Sequence, residues 1–261
     1  MKAYAVTDVG RTRDTNQDYF YYSSEPVGNL PNLYLVADGM GGHKAGDLAS
    51  RFTIENVVRL VESYKDYRDP VTILAKAINE VNGMLIEKSK ESEDYEGMGT
   101  TLVAATIDGD VLKVANVGDS RLYLIEKDIL QITRDHSLVE EMVLRGQIDK
   151  EEARTHVNKN IITRAIGVLD DVSPELFSVD LTESSILLLC SDGLTNMVSD
   201  QEILEIIKSE DNIKGQVEEL VRKANENGGK DNITAMIIHF DLSERVILGN
   251  VEQGSYFIGK I

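Results

Sequence analysis

The sequence predicts an α+β fold in which two mainly antiparallel sheets pack together and carry helices on their outer faces. Three observations predict it. Apolar alternation of period two marks strands that come in runs. Helical spacing comes in paired segments set between those runs. Strands and helices do not alternate singly, so the pattern is not that of a doubly wound parallel sheet.

The first run places strands at 3–8, 19–22 and 33–37. Residues 47–64 then set Leu48, Phe52, Val57, Leu60 and Val61 on one side of a helix, and a second helix runs over 71–90. Asp69 stands where it caps that helix, and Pro70 takes the first turn, where a missing N–H costs little. Strands return at 101–107, 111–116, 121–125 and 129–132, with Asp108-Gly109 as a hairpin turn. Residues 136–165 show two short helical patterns and mixed charge, and strands follow at 176–179 and 185–190. Ser199 and Glu202 form a capping box for a helix to about residue 208. Another helix spans 213–225, Asn227-Gly228-Gly229 stops it, and 233–240 is a final strand. No repeat, low-complexity tract or linker appears. The chain reads as one domain over 1–240, with 241–261 as a C-terminal extension.

A hydrophobic content of 42% in 261 residues supports a core, and four prolines argue against a disordered chain. With no tryptophan and 6% aromatics, that core should be mainly aliphatic. The net charge of −18, from 45 acids and 27 bases, disfavours nucleic acid and anionic membranes, which need a cationic face. It suits a monomer kept apart from its copies by self-repulsion. The single Cys190 excludes an internal disulfide framework and suits a reducing compartment. The N-terminus lacks a signal-peptide apolar region, and no stretch approaches the roughly 20 apolar residues of a membrane span. The expected location is the cytoplasm.

The chemistry is carried by acids placed at strand ends. Asp38-Gly39-Met40-Gly41-Gly42-His43 follows the apolar run Leu33-Tyr34-Leu35-Val36-Ala37, so a carboxylate arrives where glycines let the backbone come close to a ligand. Asn16-Gln17-Asp18, Ser191-Asp192-Gly193 and Asp231-Asn232 are built similarly. Asp-Gly alone is first a turn dipeptide, as Asp108-Gly109 illustrates. Asp38 and Asp192 differ because each ends a continuous apolar strand and leads into a loop. With Asp18 and Asp231 they suggest one hard-cation site assembled by folding. Carboxylates and a glycine carbonyl suit magnesium or manganese, whereas scarce histidine and a lone cysteine do not suit zinc. Two such ions about 4 Å apart lower the pKa of a shared water. Arg13, five residues before Asp18, offers a guanidinium fork for phosphate, and His43 has a pKa suited to protonating a leaving oxygen.

Rival chemistries lack their residues. A cysteine phosphatase needs an arginine six residues after its nucleophile, but Asn196 stands there relative to Cys190. There is no Gly-x-Ser-x-Gly elbow and no Walker-type Gly-Lys-Ser/Thr.

Six ordered segments carry a family resemblance: Arg13-Asp14-Thr15-Asn16-Gln17-Asp18, the 38–43 hexapeptide, Gly99-Thr100-Thr101, Gly118-Asp119-Ser120-Arg121, Ser191-Asp192-Gly193 and Gly229-Lys230-Asp231-Asn232. In these the chain resembles the PPM (PP2C-type) metal-dependent Ser/Thr protein phosphatases of compact bacterial type. The resemblance implies a four-layer α-β-β-α sandwich, two central sheets flanked by helix pairs. It implies that Asp38 bridges two Mn²⁺ or Mg²⁺ ions, with Asp18, the Gly39 carbonyl, Asp192 and Asp231 completing or supporting the shells. Arg13 would hold the substrate phosphate and His43 would be the acid. His43 departs from the pattern of many eukaryotic members, which carry histidine directly after Asp-Gly, where this chain has Met40. Asp119 and Asp192 would hold a third ion, and a turn role for Asp119 stands beside that reading. Residues 136–165 match the family's flap. Over 134–164 six bases balance six acids, which fits either a surface that meets phosphoproteins or a solvated loop.

The function expected is hydrolysis of phosphoserine and phosphothreonine in proteins, opposing a Ser/Thr kinase. The partners would be that kinase and its phosphorylated substrates. The alternative is a catalytically inactive relative that binds phosphoproteins as a scaffold.

Overall fold

The computed structural model describes residues 1–42, 45–210, 212–240 and 257–259. The chain opens with β1 (Lys2–Asp8), β2 (Asp18–Ser23) and β3 (Leu33–Met40), then α1 (Ala45–Ser63) and α2 (Pro70–Ser89). A middle run follows: β4 (Gly99–Thr100), β5 (Leu102–Asp108), β6 (Val111–Val117), β7 (Arg121–Ile125) and β8 (Ile129–Gln131). Short helices α3 (Leu138–Leu144) and α4 (Lys150–Thr155) precede β9 (Glu175–Asp180) and β10 (Ile186–Cys190). The chain continues through α5 (Asp192–Thr195), α6 (Asp200–Ser209), α7 (Ile213–Glu226), β11 (Ile233–His239) and β12 (Phe257–Gly259).

The strands form two sheets, β1-β11-β10-β7-β8 and β12-β2-β3-β5-β6-β9, with β4 paired to β3. Every pairing is antiparallel. Three apolar layers hold them in a four-layer sandwich. Phe20, Tyr34, Val36, Leu187, Leu189 and Met236 fill the space between the sheets. Tyr19, Leu33, Leu35, Val57, Ile78 and Val81 join the second sheet to α1 and α2. Leu188, Ile237, Ile203, Val217 and Leu220 join the first to α6 and α7. The sandwich expected from the sequence is therefore the observed fold.

β2 shows why its run reads as continuously apolar. Tyr19 and Tyr21 face the helices while Phe20 and Tyr22 face the other sheet, so both sides of the strand are covered. The tyrosines add aromatic area to a core that is otherwise aliphatic, as expected. The helix signals also hold. The Asp69 side chain accepts from the Thr72 N–H at 2.8 Å, and Ser199 with Glu202 closes a capping box on α6. Gly109 takes a φ of +69° in the β5–β6 turn, a conformation that glycine adopts without a Cβ penalty.

Three elements depart from the sequence reading. β3 does not stop at Ala37 but runs through Asp38 and Gly39 to Met40, because β4 pairs with its far end. The strand expected at 101–107 is interrupted at Thr101, whose N–H donates to the Asp38 carbonyl at 2.9 Å. Asp192 opens the one-turn helix α5 rather than a loop. Within the 241–261 extension, β12 adds to the outer edge of β2.

Candidate active site

The β2–β3 ladder sets Asp18 directly opposite Asp38. Asp18 is fully buried. Its Oδ2 accepts from the Ser191 hydroxyl at 2.6 Å and from the Thr234 hydroxyl at 2.7 Å, so the end of β10 and β11 itself, both of the opposite sheet, hold a carboxylate of this one. Its Oδ1 has no hydrogen-bond partner.

Asp38 is fixed through its backbone. Its N–H donates to Thr101 Oγ1 at 2.9 Å, and its carbonyl also accepts from Thr100 Oγ1 at 2.9 Å. Next to it, Gly39 lies under the start of α1. A Cβ there would stand 2.0 Å from the Gly46 carbonyl oxygen and 2.7 Å from that of Gln17. Glycine is required at 39 for clearance, and its N–H donates to the Gln17 carbonyl at 3.0 Å.

The Thr101 hydroxyl also lies 2.7 Å from that of Ser120, which ties the β4–β5 junction to the turn carrying Asp119. Gly118 makes that turn with φ +106°, and a Cβ there would meet Thr101 Cγ2 at 2.5 Å. Asp119 is buried and its Oδ1 has no partner. Asp192, at the first position of α5, accepts from Asn196 Nδ2 at 2.9 Å through Oδ2, and its Oδ1 is likewise without a partner. Asn196 in turn accepts from Lys159 Nζ at 2.9 Å.

Asp231 Oδ2 accepts from Arg13 Nη2 at 2.9 Å, and its Oδ1 accepts from the Asn232 N–H at 2.9 Å. The Asn232 side chain pins the loop that bears Arg13. It donates to the carbonyls of Val9 and Thr15 at 3.0 and 2.9 Å and accepts from the Gln17 N–H at 2.8 Å.

The electrostatics follow first from burial and then from the mutual repulsion of the acids. Burial raises Asp18 from its ordinary 3.8 to about 7, the two hydroxyls oppose this, and the charges of Asp192 and Asp231 add to it. Asp38 is raised well above its ordinary value by the protein enclosing it, then by Asp18, Asp192, Asp119 and Asp231. Burial raises Asp192 to about 6, helped by Asp231 and opposed by Arg121. Asp119 is raised by burial, then by Asp192 and Asp135. Each carboxyl feels the others, so the cluster is one electrostatic unit.

The fold thus brings Arg13, Asp18, Asp38, Gly39, Asp119, Asp192 and Asp231 to one region. His43 lies outside the described residues. Among the described residues the acids do not stand as a finished coordination shell. Their chemistry nonetheless fits hard cations: oxygen donors only, three orphaned carboxylate oxygens, and mutual repulsion that a cation would relieve. Ser191, Thr101 and Asn232 stand in segments that the sequence marks but gives no role to, and Thr234 is not marked at all. Thr234 had a signal, a lone hydroxyl in an apolar strand, and Thr101 had its place in the Gly99-Thr100-Thr101 segment.

Comparison with known proteins agrees with this geometry. Residues 5–233 match the family model described as Protein phosphatase 2C. A curated relative, Serine/threonine phosphatase stp of Listeria monocytogenes, is 44% identical over 253 residues, which cover 94% of this chain and 98% of that one. The crystal structure of Serine/threonine phosphatase Stp1 from Staphylococcus aureus superposes with a TM-score of 0.85 at 38% identity, covering 92% of this chain and 95% of the other. The catalytic domain of serine threonine protein phosphatase PstP, in complex with 2 manganese ions, superposes with a TM-score of 0.79 at 33% identity, covering 90% and 96%. The match spans nearly the whole sandwich and every strand that carries a cluster acid, and the chain belongs to the protein phosphatase 2C family.

Proposed function

We propose that this serine/threonine phosphatase hydrolyses phosphoserine and phosphothreonine in proteins with the help of two hard divalent cations held by the carboxylate cluster. One observation carries the reading: Asp18, Asp119 and Asp192 each keep a buried Oδ1 without a hydrogen-bond donor. Such oxygens are costly to bury as anions, and a cation offsets that cost. In this reading Asp38 bridges the ions, and Asp18, the Gly39 carbonyl, Asp192 and Asp231 complete or support their shells. Asp119 and Asp192 take a third. Oxygen donors suit manganese or magnesium, and the PstP domain solved with two manganese ions is the precedent in a relative. When bound, the ions neutralise phosphate charge and bring the pKa of a water towards neutrality.

The chain's own residues do the rest. Arg13 exchanges the Asp231 carboxylate for two phosphate oxygens, which orients the ester for attack in line with its leaving oxygen. Water attacks phosphorus, the bond to the Ser or Thr oxygen breaks, and His43 gives that oxygen a proton. Ser191 and Thr234 keep Asp18 in position, and Thr101 does so for Asp38.

The inactive-scaffold alternative has no support, since every acid of the expected set is present and the relatives are phosphatases by name. We further propose a cytoplasmic monomer with 1–240 as the phosphatase domain and 136–165 as a flap beside the site. It would act on a Ser/Thr kinase and that kinase's substrates rather than on nucleic acid or at a membrane. The strong net negative charge and the buried Cys190 support this placement. Among the described residues no helix is long and apolar enough to cross a membrane.

The test is release of phosphate from a phosphothreonine peptide with Mn²⁺, with EDTA, and by Asp38→Asn with Mn²⁺. Activity in the first case alone is expected. Turnover that survives EDTA or the substitution overturns the two-cation reading.

A further inference from the structure

A cleft of about 440 Å³ borders the carboxylate cluster, with Asp119 and Asp192 among its lining residues. Arg121 on β7 and Gln131 on the edge strand β8 line it, together with residues of α3 and α4. Most acids along it already have partners. Asp135 is held in a fork by Arg121, with Nε to Oδ1 at 2.9 Å and Nη2 to Oδ2 at 2.6 Å. Asp200 accepts from the Tyr123 hydroxyl at 3.2 Å.

The helix α4 divides its charges by side. Its sequence is Lys-Glu-Glu-Ala-Arg-Thr, and Lys150, Ala153 and Arg154 line the cleft while Glu151 and Glu152 do not. Lys150 and Arg154 stand at i and i+4, one turn apart on the same face. Glu152 is used in the capping box with Asp149. Both cations are exposed, and neither meets a carboxylate among the described residues. Glu140 on α3 also lines the cleft and offsets part of their charge. In a chain of net charge −18, the cleft lining balances five cations against five acids, and Lys150 and Arg154 are the two of those cations that meet no polar side chain among the described residues. Charges placed so select partners by complementarity.

We propose that this cleft receives the substrate polypeptide beside its phosphorylated residue, and that Lys150 and Arg154 select substrates with acidic side chains at the flanking positions. The inference rests on the reading of the carboxylate cluster as the dephosphorylation site. It adds a preference that the cluster itself does not supply, because the cations the acids would hold, with Arg13, engage the phosphate alone.

The experiment compares two phosphothreonine peptides that differ only in glutamate or alanine at the flanking positions, with p-nitrophenyl phosphate as a substrate that has no flank. All are assayed with Mn²⁺ on the full chain, on Lys150→Ala/Arg154→Ala, and on Lys150→Glu/Arg154→Glu. Exposed ion pairs are modest, so the unsubstituted chain should favour the acidic peptide about threefold to tenfold in kcat/KM, mainly through KM. That preference should shrink at high salt, where exposed charges are screened. The alanine pair should bring the ratio to about one, and the glutamate pair should reverse it. Equal rates on the two peptides with the unsubstituted chain, or a preference that persists in both variants, overturns the proposal. So does a loss on p-nitrophenyl phosphate as large as the loss on the acidic peptide, which would place the two residues at the reaction centre. No turnover of any substrate would instead sink the phosphatase reading on which the inference rests.

Discussion

Asp18 and Asp38 face each other across the β2–β3 ladder, like charges at directly opposed positions in a sheet. Such pairs destabilise a sheet unless something neutralises them. Burial and the neighbouring acids raise Asp18 to about 7 and Asp38 well above 3.8. A carboxyl raised in the folded state holds protons that the unfolded chain has released, so stability falls as pH rises between the two values. In EDTA the melting temperature should therefore drop between about pH 5 and pH 7.5, on the order of 2 kcal/mol in stability. Asp38→Asn should flatten that drop and should lose the stabilisation that Mn²⁺ gives the unsubstituted chain. Calorimetry on both proteins, with and without metal, reads this. Parallel pH profiles in EDTA would refute the account.

Thr234→Val tests the support from the opposite sheet. The substitution keeps shape and removes the 2.7 Å hydrogen bond to Asp18 Oδ2, leaving Ser191 as that oxygen's partner. A buried carboxylate that loses one donor costs about 1–3 kcal/mol. Urea unfolding should register this, and the Mn²⁺ concentration for half-maximal activity should rise several-fold. An unchanged metal requirement would mean that the hydroxyl only braces the fold.

How much of this was legible in the sequence depends on the range of each signal. The acids at 18, 38, 192 and 231 could be read because each adjoins an apolar strand, a local pattern. The extension of β3 through Gly39 could not, since glycine argues against a strand and only β4 and α1 make it fit there. Thr101 and Asn232 act across 63 and 215 residues of sequence, and no periodicity records such contacts. The division of charge on α4 was hidden for a related reason. Its acids and bases sum evenly along the chain, and only the cleft shows that they face different ways.

Arg13→Lys should separate binding from folding. Arg13 is exposed and pairs with a half-buried Asp231, an interaction worth about 0–1 kcal/mol to stability. The melting temperature should hardly move. A lysine cannot form the two-pronged contact, so kcat/KM on phosphopeptides should fall about tenfold or more, chiefly in KM. Steady-state kinetics on Arg13→Lys and Arg13→Ala check this, and equal KM values for all three proteins would remove Arg13 from the phosphate site.

His136 clasps the turn that carries Asp119. Its Nδ1 accepts from the Gly118 N–H at 3.1 Å and its backbone N–H donates to the Gly118 carbonyl at 3.0 Å, while Nε2 faces Glu175 at 3.3 Å. The ring must be neutral at Nδ1 to accept that bond. Burial lowers its pKa from 6.5, as do the charges of Arg164 and Arg134, against the pull of Glu175. A histidine with a lowered folded pKa stabilises above its unfolded value, and the gain is lost as pH falls below about 6.5. His136→Ala should cost about 1–3 kcal/mol by stranding the Gly118 N–H. His136→Asn, whose amide oxygen can take the same bond but does not titrate, should recover part of that. It should also lose less stability than the unsubstituted chain between about pH 7.5 and pH 5.5. Urea titrations of the three proteins at the two pH values decide it, since equal losses for the histidine and asparagine forms would mean that this ring does not couple protons to the Asp119 turn.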